Sequence, residues 1–390
     1  MEEAPTGKGR GGMRFLIGTA HFFAPIYRDA GMHRFAKSLA AKGHHVDFVT
    51  FGQSRLKQRM KPETKAFVDS ANGAAAADAN PANIHAHVHR EWFHPPSGSP
   101  RIERLTWPLE RLYGHHLDAW TRKAAREADV IILECGYALY FFDTIRKFNP
   151  QAQYVAFYND RLELVGFRPE VIALHERLMP RFDMVRTNAE RLLDYLPAGV
   201  HGRYVAQGVD KERISFDLPS PYPAGTRNIV SVGNMLFDDA AVRAIAAAAA
   251  RTGANVHVIG AAMAKPPANV IVHGELPFEV TLPYIVHADV GLAPYRATEG
   301  AEYLIQSSLK IQQYSYCGLP ILLAKEMGIG GANFVQYAQG IPGDVDRAVD
   351  QAFELGKSRD FGRDVRGWDE IGDVLLATIA ESPRRYGLSG

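Results

Sequence analysis

The sequence predicts an α/β protein of two domains, each built on a parallel sheet. Three observations predict it. The chain has 390 residues, more than one hydrophobic core usually serves. Short apolar runs alternate with amphipathic helical stretches from residue 14 to residue 324, the pattern of repeated βα units. The alternation is interrupted at residues 217–225, where three prolines and a glycine suit a connection between domains. Each half therefore reads as a Rossmann-like, doubly wound domain. The expected divisions are a disordered leader over 1–13, an N-terminal domain over 14–206, a connection over 207–227, a C-terminal domain over 228–375 and a tail over 376–390.

The elements follow in order. Residues 14–19 are a short apolar run and read as a buried strand. Residues 27–42 carry Met32, Phe35, Ala36 and Leu39 at helical spacing, with Gly43 as the stop. Residues 45–50 return as a strand and complete a βαβ unit. Residues 53–82 read as irregular, 84–89 as a third strand, and 101–127 as an amphipathic helical stretch interrupted at Pro108. Strands at 129–134 and 153–158 flank a helix at 139–148. Segments 169–179, 183–187, 189–196 and 203–206 continue the alternation. In the second half, strands are expected at 228–233, 256–260, 270–272, 289–294 and 320–324. Helices are expected at 239–252, 282–287 and 305–317, and near 344–357 and 368–381.

Composition narrows the function classes. Lys plus Arg is 44 and Asp plus Glu is 43, a balance that argues against a globally basic nucleic-acid binder. Cys135 and Cys317 are the two cysteines; with no CxxC pair or Cys/His cluster, neither a disulfide framework nor a structural zinc site is expected. The first twelve residues lack the apolar core of a signal peptide, and no apolar run approaches the ~20 residues needed to span a bilayer. The expectation is a cytoplasmic protein, soluble or attached to a membrane surface.

In open α/β sheets, ligands bind beyond the carboxyl ends of the strands, near helix N-termini. Polar residues there are the candidates. The N-terminal half offers His21 and Asn159-Asp160-Arg161; the C-terminal half offers Gly233 to Asp238, Gly274-Glu275, Pro294-Tyr295 and a helix bearing Lys310 and Gln313. Asp160 follows a strand directly, where a carboxylate can take a proton from an entering hydroxyl; a turn aspartate, an N-cap or a partner for Arg161 fits the same position. Lys310 and Gln313 lie three apart, early on one helix face. That placement suits a diphosphate, held by backbone N–H groups, the helix dipole and an ammonium; the alternative is a solvated face. Gly233 after its strand would let the backbone approach a phosphate, but no GxGxxG fingerprint accompanies it, which disfavours an NAD-dependent dehydrogenase. Glu275 could hold ribose hydroxyls or be an exposed turn glutamate.

Weaker patterns complete the set. Asp344 and Asp346 have DxD spacing but lead into a helix, so N-capping explains them better. His85, His87 and His89 alternate along one strand face with no acidic or thiol partner apparent in the sequence, and read as a surface stripe; His115-His116 has no assigned role. Arg55, Lys57, Arg59, Lys61 and Lys65 cluster, with Trp92, Phe93, Trp107 and Tyr113 following among Arg101, Arg104 and Arg111. Cations interleaved with aromatics suit an anionic bilayer surface; a solvated helix plus ordinary core aromatics is the alternative.

Residues 292–295 (LAPY) and 308–314 (SLKIQQY), before 318–320 (GLP), resemble glycosyltransferases of the GT-B fold, with two facing Rossmann-like domains and a cleft between them. Residues 158–166, 182–186, 45–50 and 54–56 narrow the resemblance to the membrane-associated β-glucuronosyltransferases of xanthan assembly, glycosyltransferase family 70. The resemblance runs over roughly residues 14 to 380. It implies an inverting, metal-independent enzyme that needs no cofactor. The donor would be UDP-glucuronate, held by the C-terminal domain. The acceptor would be the terminal mannose of a polyprenyl-diphosphate-linked oligosaccharide, bound through the N-terminal domain at the anionic cytoplasmic surface of the inner membrane. The family's catalytic aspartate falls on Asp160, and its nucleotide-contacting positions on Met235, Glu275, Tyr295, Leu309, Lys310 and Gln313. Leu309 replaces a methionine of similar volume. His21, Asp210 and Asp238 fall at further polar positions of the expected cleft. Either Lys310 or Arg161 could meet the glucuronate carboxylate. Two other readings share the fold: a UDP-sugar epimerase, and a non-catalytic nucleotide-sugar-binding subunit at the membrane.

Overall fold

A computed structural model describes residues 12–24, 29–60, 62–72, 82–91, 110, 112–300, 302–328 and 330–384. The chain divides into two compact units, Met1–Val205 with Gly372–Gly390, and Ala206–Ile371.

The first unit holds a seven-stranded sheet in the order β3-β2-β1-β4-β5-β6-β7. Its strands are β1 (Arg14–Thr19), β2 (His45–Ser54), β3 (Ile84–Glu91), β4 (Val130–Glu134), β5 (Gln153–Tyr158), β6 (Met184–Thr187) and β7 (Gly202–Tyr204). The second unit holds a six-stranded sheet in the order β10-β9-β8-β11-β12-β13. Those strands are β8 (Arg227–Val232), β9 (Ala254–Ile259), β10 (Val270–Gly274), β11 (Val290–Ala293), β12 (Ile321–Ala324) and β13 (Phe334–Tyr337). Every ladder pairing between named strands is parallel. Parallel strands covered on both faces read as unbroken apolar runs. Phe15, Leu16 and Ile17 of β1, and Ile131, Ile132 and Leu133 of β4, are accordingly fully buried.

Several elements differ from the sequence expectation. The stretch read as irregular over 53–82 begins with the end of β2 and continues as helices Arg55–Met60 and Pro62–Asn72. The helix expected over 27–42 is Gly31–Ala41, with 25–28 outside the described residues. Of the helical stretch 101–127, residues 101–109 lie outside the described residues and Ala119–Glu127 is helical, N-capped by Asp118. Residues 189–196 form only the 3-10 segment Glu190–Tyr195. The helix expected over 305–317 is broken at Ser308 into Tyr303–Ser307 and Leu309–Tyr316. Ser308 takes an extended conformation and its hydroxyl accepts from Ile311 N, so an N-cap inside the run starts a second helix. Strand β13 has no counterpart in the sequence expectation.

The two ends of the second unit also differ. The proline-rich stretch 217–225, with the residues before it, belongs to the second unit. Val209, Ile214 and Tyr222 are buried in its core, and the Tyr222 hydroxyl donates to Tyr284 O at 2.7 Å. The last helix, Trp368–Glu381, begins in the second unit and from Gly372 belongs to the first. There Gln153 Nε2 donates to Ile379 O at 2.7 Å, and Lys42 pairs with Asp373 at 2.7 Å. The leader expected over 1–13 falls almost wholly outside the described residues.

Gly291 shows how tightly β11 is packed. A Cβ there would lie 2.5 Å from Tyr314 Cδ2, and Tyr314 is fully buried. Gly291→Ala therefore forces the ring aside and overpacks the core, at a cost of about 1–3 kcal/mol. A thermal melt is expected to show a lowered midpoint, and an unchanged midpoint would contradict this packing.

Candidate functional site

The carboxyl ends of the second sheet gather most of the nucleotide candidates. Gly233 follows β8 with φ of +95° and Gly260 follows β9 with φ of +90°. Both are left-handed conformations that favour glycine. The two pack back to back: a Cβ on Gly260 would sit 3.3 Å from Gly233 Cα, and Gly260 N donates to Gly274 O at 2.6 Å. Glu275, next in the chain, is exposed. Lys310 lies in the first turn of Leu309–Tyr316, and its Nζ would be 3.9 Å from a Cβ on Gly233. The ammonium lies 4.5 Å from the centre of the Tyr295 ring, and the Tyr295 hydroxyl hydrogen-bonds Ser308 Oγ at 2.7 Å. The Tyr314 hydroxyl accepts from Val232 N at 2.9 Å and so ties this helix to the end of β8.

Lys310 is half-buried, and among the described residues no carboxylate pairs with it. Burial lowers its pKa to about 8, because the ammonium is poorly solvated and uncompensated. Such a group beside glycine backbone and a helix N-terminus is suited to an anion. Leu309 and Gln313 are half-buried on the same helix, and Met235 is 50% exposed in the turn after Gly233. Asp238 serves the fold directly. It N-caps helix Asp239–Arg251, accepting from Ala240 N and Ala241 N at 3.0 and 3.1 Å, and accepts from Gln339 Nε2 at 3.2 Å. Asp210 is 3.7 Å from Arg213 on a separate turn.

In the first unit, His21 and Asp160 flank a polar network at the ends of β1, β4 and β5. Glu134, the last residue of β4, accepts from Thr19 Oγ1 and from Asn159 Nδ2 at 3.2 Å, and lies 3.6 Å from His21 Nε2. Asn159 Oδ1 in turn accepts from Arg186 Nη1 at 2.6 Å. Burial works against the Glu134 charge, but hydrogen bonds from His21, Thr19 and Asn159 outweigh it and hold the carboxyl below its usual range. Arg186 is fully buried between the rings of Phe35 and Phe157, and burial lowers its pKa to about 9. Asp160 follows Asn159 directly and is half-buried. Arg161 stacks 4.2 Å over Tyr195 and is 3.7 Å from Glu163.

Sequence reading misses Glu134 and Arg186. Each ends or interrupts an apolar strand run, and a charged residue inside such a run is the available signal. The histidine stripe also reads differently in three dimensions. His87 and His89 both contact Asp118 Oδ2, at 2.8 and 3.1 Å, and His89 Nε2 is 3.2 Å from Glu91 Oε1. These carboxylate partners come from one strand residue and from the distant cap of Ala119–Glu127, and His89 is fully buried rather than on the surface. Asp344 does not N-cap its helix; it accepts from Ala338 N at 2.6 Å and pairs with Arg347, while Asp346 lies 3.3 Å from Arg251. Tyr113 of the aromatic set is buried, packed against Tyr140 and Phe141, so it belongs to the core. Trp92, Phe93, Trp107, Arg101, Arg104 and Arg111 lie outside the described residues. Among the described residues no helix is long and apolar enough to cross a membrane.

Comparison with known proteins shows what the chain resembles. Residues 17–188 match the model of the N-terminal domain of the glucuronosyltransferase GumK. The chain is 29% identical over 381 residues to the UDP-glucuronate:glycolipid 2-beta-glucuronosyltransferase of Xanthomonas campestris pv. campestris, covering 95% of this chain and 90% of that protein. The chain is thus similar to GumK-type glycosyltransferases. Solved structures agree on the fold of this GumK-like chain. Sucrose-phosphate synthase of Thermosynechococcus elongatus aligns with a TM-score of 0.66 at 14% identity, over 94% of this chain and 98% of that one. HepE of Anabaena, solved with UDP and glucose, aligns at 0.59 with 13% identity, over 94% and 99% of the two chains. The two parallel-sheet units are those of the GT-B fold.

The Lys310 environment makes a pH prediction for the GumK-like enzyme. The protonated amine attracts a diphosphate and predominates below about 8. Affinity for UDP, used as an anionic probe, should be highest there. It should fall ~10-fold as this one charge is lost between about pH 7 and about pH 9. Calorimetric titration of the wild type should show that fall, and Lys310→Met should flatten it. An equally steep profile in the variant would remove Lys310 from the anion site.

Proposed function

We propose that this chain transfers glucuronate from UDP-glucuronate to a hydroxyl of a lipid-linked oligosaccharide, with inversion at the anomeric carbon, in exopolysaccharide synthesis. The observation that carries the reading is the extent of the likeness to the Xanthomonas campestris enzyme, which spans 95% of this chain and both units. The base-bearing edge and the anion-binding edge are therefore both within the matched length.

In this reading Asp160 removes the proton from the acceptor hydroxyl. The acceptor oxygen forms its bond to the anomeric carbon as the bond from that carbon to the diphosphate oxygen breaks, and UDP leaves with the electron pair. One displacement inverts the centre. Lys310 and the N-terminus of its helix stabilise the charge that develops on the diphosphate, a role a divalent metal fills in other transferases. Tyr295 and Ser308 fix the surroundings of the ammonium, and Glu275 takes the ribose hydroxyls. Met235, Leu309 and Gln313 line the donor. The Glu134 network supports the turn that carries Asp160. No cofactor is required. The glycolipid in the relative's name supports an acceptor held in a membrane. Helices Arg55–Met60 and Pro62–Asn72, which contain Arg55, Arg59 and Lys65, support a peripheral position on the anionic cytoplasmic face of the inner membrane.

The test is transfer of labelled glucuronate to a polyprenyl-diphosphate-linked acceptor, wild type against Asp160→Asn. Loss of the base is expected to lower turnover by ~10²–10⁴-fold. Unchanged turnover would remove Asp160 as the base. Omitting magnesium and manganese should leave wild-type turnover intact; a strict requirement for either would contradict the role given to Lys310. A modified nucleotide sugar formed without acceptor would indicate an epimerase. UDP binding without turnover would indicate a binding subunit.

A further inference from the structure

The described residues hold two groups of side chains able to ligate a metal, His45 with Asp47 and His85, and His89 with Glu91 and His116. The first is occupied by a cation of the chain itself: Arg14 Nη2 lies 3.1 Å from His45 Nε2 and 3.2 Å from Asp47 Oδ2. The second group is not bridged in this way by any arginine or lysine among the described residues, and it differs in three ways that point to a ligand.

The first is spacing. His89 Nε2 and Glu91 Oε1 are 3.2 Å apart, and a ring nitrogen of His116 falls with them inside a 4.8 Å group. Two ligands each about 2.0–2.1 Å from a tetrahedral zinc ion are themselves roughly 3.4 Å apart. The second is the outer contact. His89 Nδ1 lies 3.1 Å from Asp118 Oδ2, so a carboxylate takes the ring proton and leaves Nε2 as the lone-pair donor. This carboxylate–histidine arrangement orients metal-ligating imidazoles generally. Asp118 is itself fixed, accepting from Thr121 N at 2.8 Å and contacting His87 Nε2 at 2.8 Å. The third is the shell. The His89 ring packs against Phe51 and Phe141, with centroids 5.6 and 5.2 Å away, while His116 is exposed and gives a path from solvent.

We propose that His89, Glu91 and His116 bind one zinc-class divalent cation, with water as the fourth ligand and Asp118 as the orienting carboxylate. The site joins β3, at the edge of the first sheet, to the segment leading into Ala119–Glu127. β3 lies four positions from β5, the strand that Asp160 follows, so the ion is structural and takes no part in transfer. Cysteine spacing gives no hint of it, because its ligands are two histidines and a glutamate drawn from separate parts of the chain. In the absence of metal, a proton on His89 Nε2 would serve Glu91 instead, and the experiment distinguishes these occupants.

The full chain, purified without a metal-binding tag, is incubated with zinc, freed of excess and analysed for bound metal. One zinc per chain is expected for the wild type, and cobalt substitution should give the absorption of tetrahedral nitrogen–oxygen coordination. His116→Ala changes an exposed residue and should fold; it is expected to lose ~100-fold or more in affinity. Asp118→Asn should lose roughly 10–100-fold, as for other outer carboxylates. His85→Ala, in the neighbouring cluster, should bind as the wild type does. Failure of the wild type to retain zinc would overturn the proposal and leave His89 protonated. Wild-type affinity in His116→Ala, or loss confined to His85→Ala, would also overturn it.

Discussion

Parallel strand pairing is the constraint on which the rest of this molecule depends. A sheet whose ladders are all parallel must return each strand through a crossover, and every strand then ends at the same edge. Residues far apart in sequence are thereby collected without any special local motif. In the first unit the ends of β1, β4 and β5 bring Thr19, His21, Glu134 and Asn159 into one hydrogen-bonded network beside Asp160. In the second, the ends of β8, β9 and β10 bring Gly233, Gly260 and Gly274 into backbone contact, and the helix after β11 adds Lys310. The glycines are part of the same constraint. With φ near +90° at Gly233 and Gly260, a side chain at either would strain the turn, and at Gly260 it would also press on Gly233.

The two edges manage charge in opposite ways. Glu134 is half-buried, but donors on three sides hold it ionised. Its role is to keep a turn rigid, since its oxygens already have partners. Lys310 is half-buried, its pKa is lowered, and among the described residues no carboxylate answers it. A folded chain tolerates that cost most readily where a ligand supplies the counter-charge. A diphosphate would do so, and its developing charge during transfer would strengthen the interaction when it matters for rate.

How much of this is legible in the sequence depends on how local the information is. β5 reads at its observed limits, and β8, β11 and β12 nearly so, because buried parallel strands are continuous apolar runs with turn residues at their ends. Strand β13 is only four residues and amphipathic, so no run announces it. Residues 55–72 escape recognition as helices because basic residues mask a weak apolar face. The break at Ser308 depends on one side chain accepting a backbone hydrogen bond inside an otherwise helical pattern. Within the candidate site, glycine turns and the lysine position are readable from strand ends. The roles of Glu134, Arg186 and Asp118 are not, because each is defined by partners from distant segments. Asp118 falls inside the stretch 101–127 that the sequence reads as helical, and only folding sets His87 and His89 against it.

The central proposal is a division of labour: a carboxylate base in the first unit would take the acceptor proton, and a cation in the second would hold the donor diphosphate. Calorimetric UDP affinities of Asp160→Asn and Lys310→Met, measured side by side near neutral pH, test it most directly. Asp160→Asn should keep wild-type affinity, and Lys310→Met should lose ~10-fold, the scale of one desolvated charge contact. Equal losses in both variants, or a loss in Asp160→Asn alone, would contradict this division.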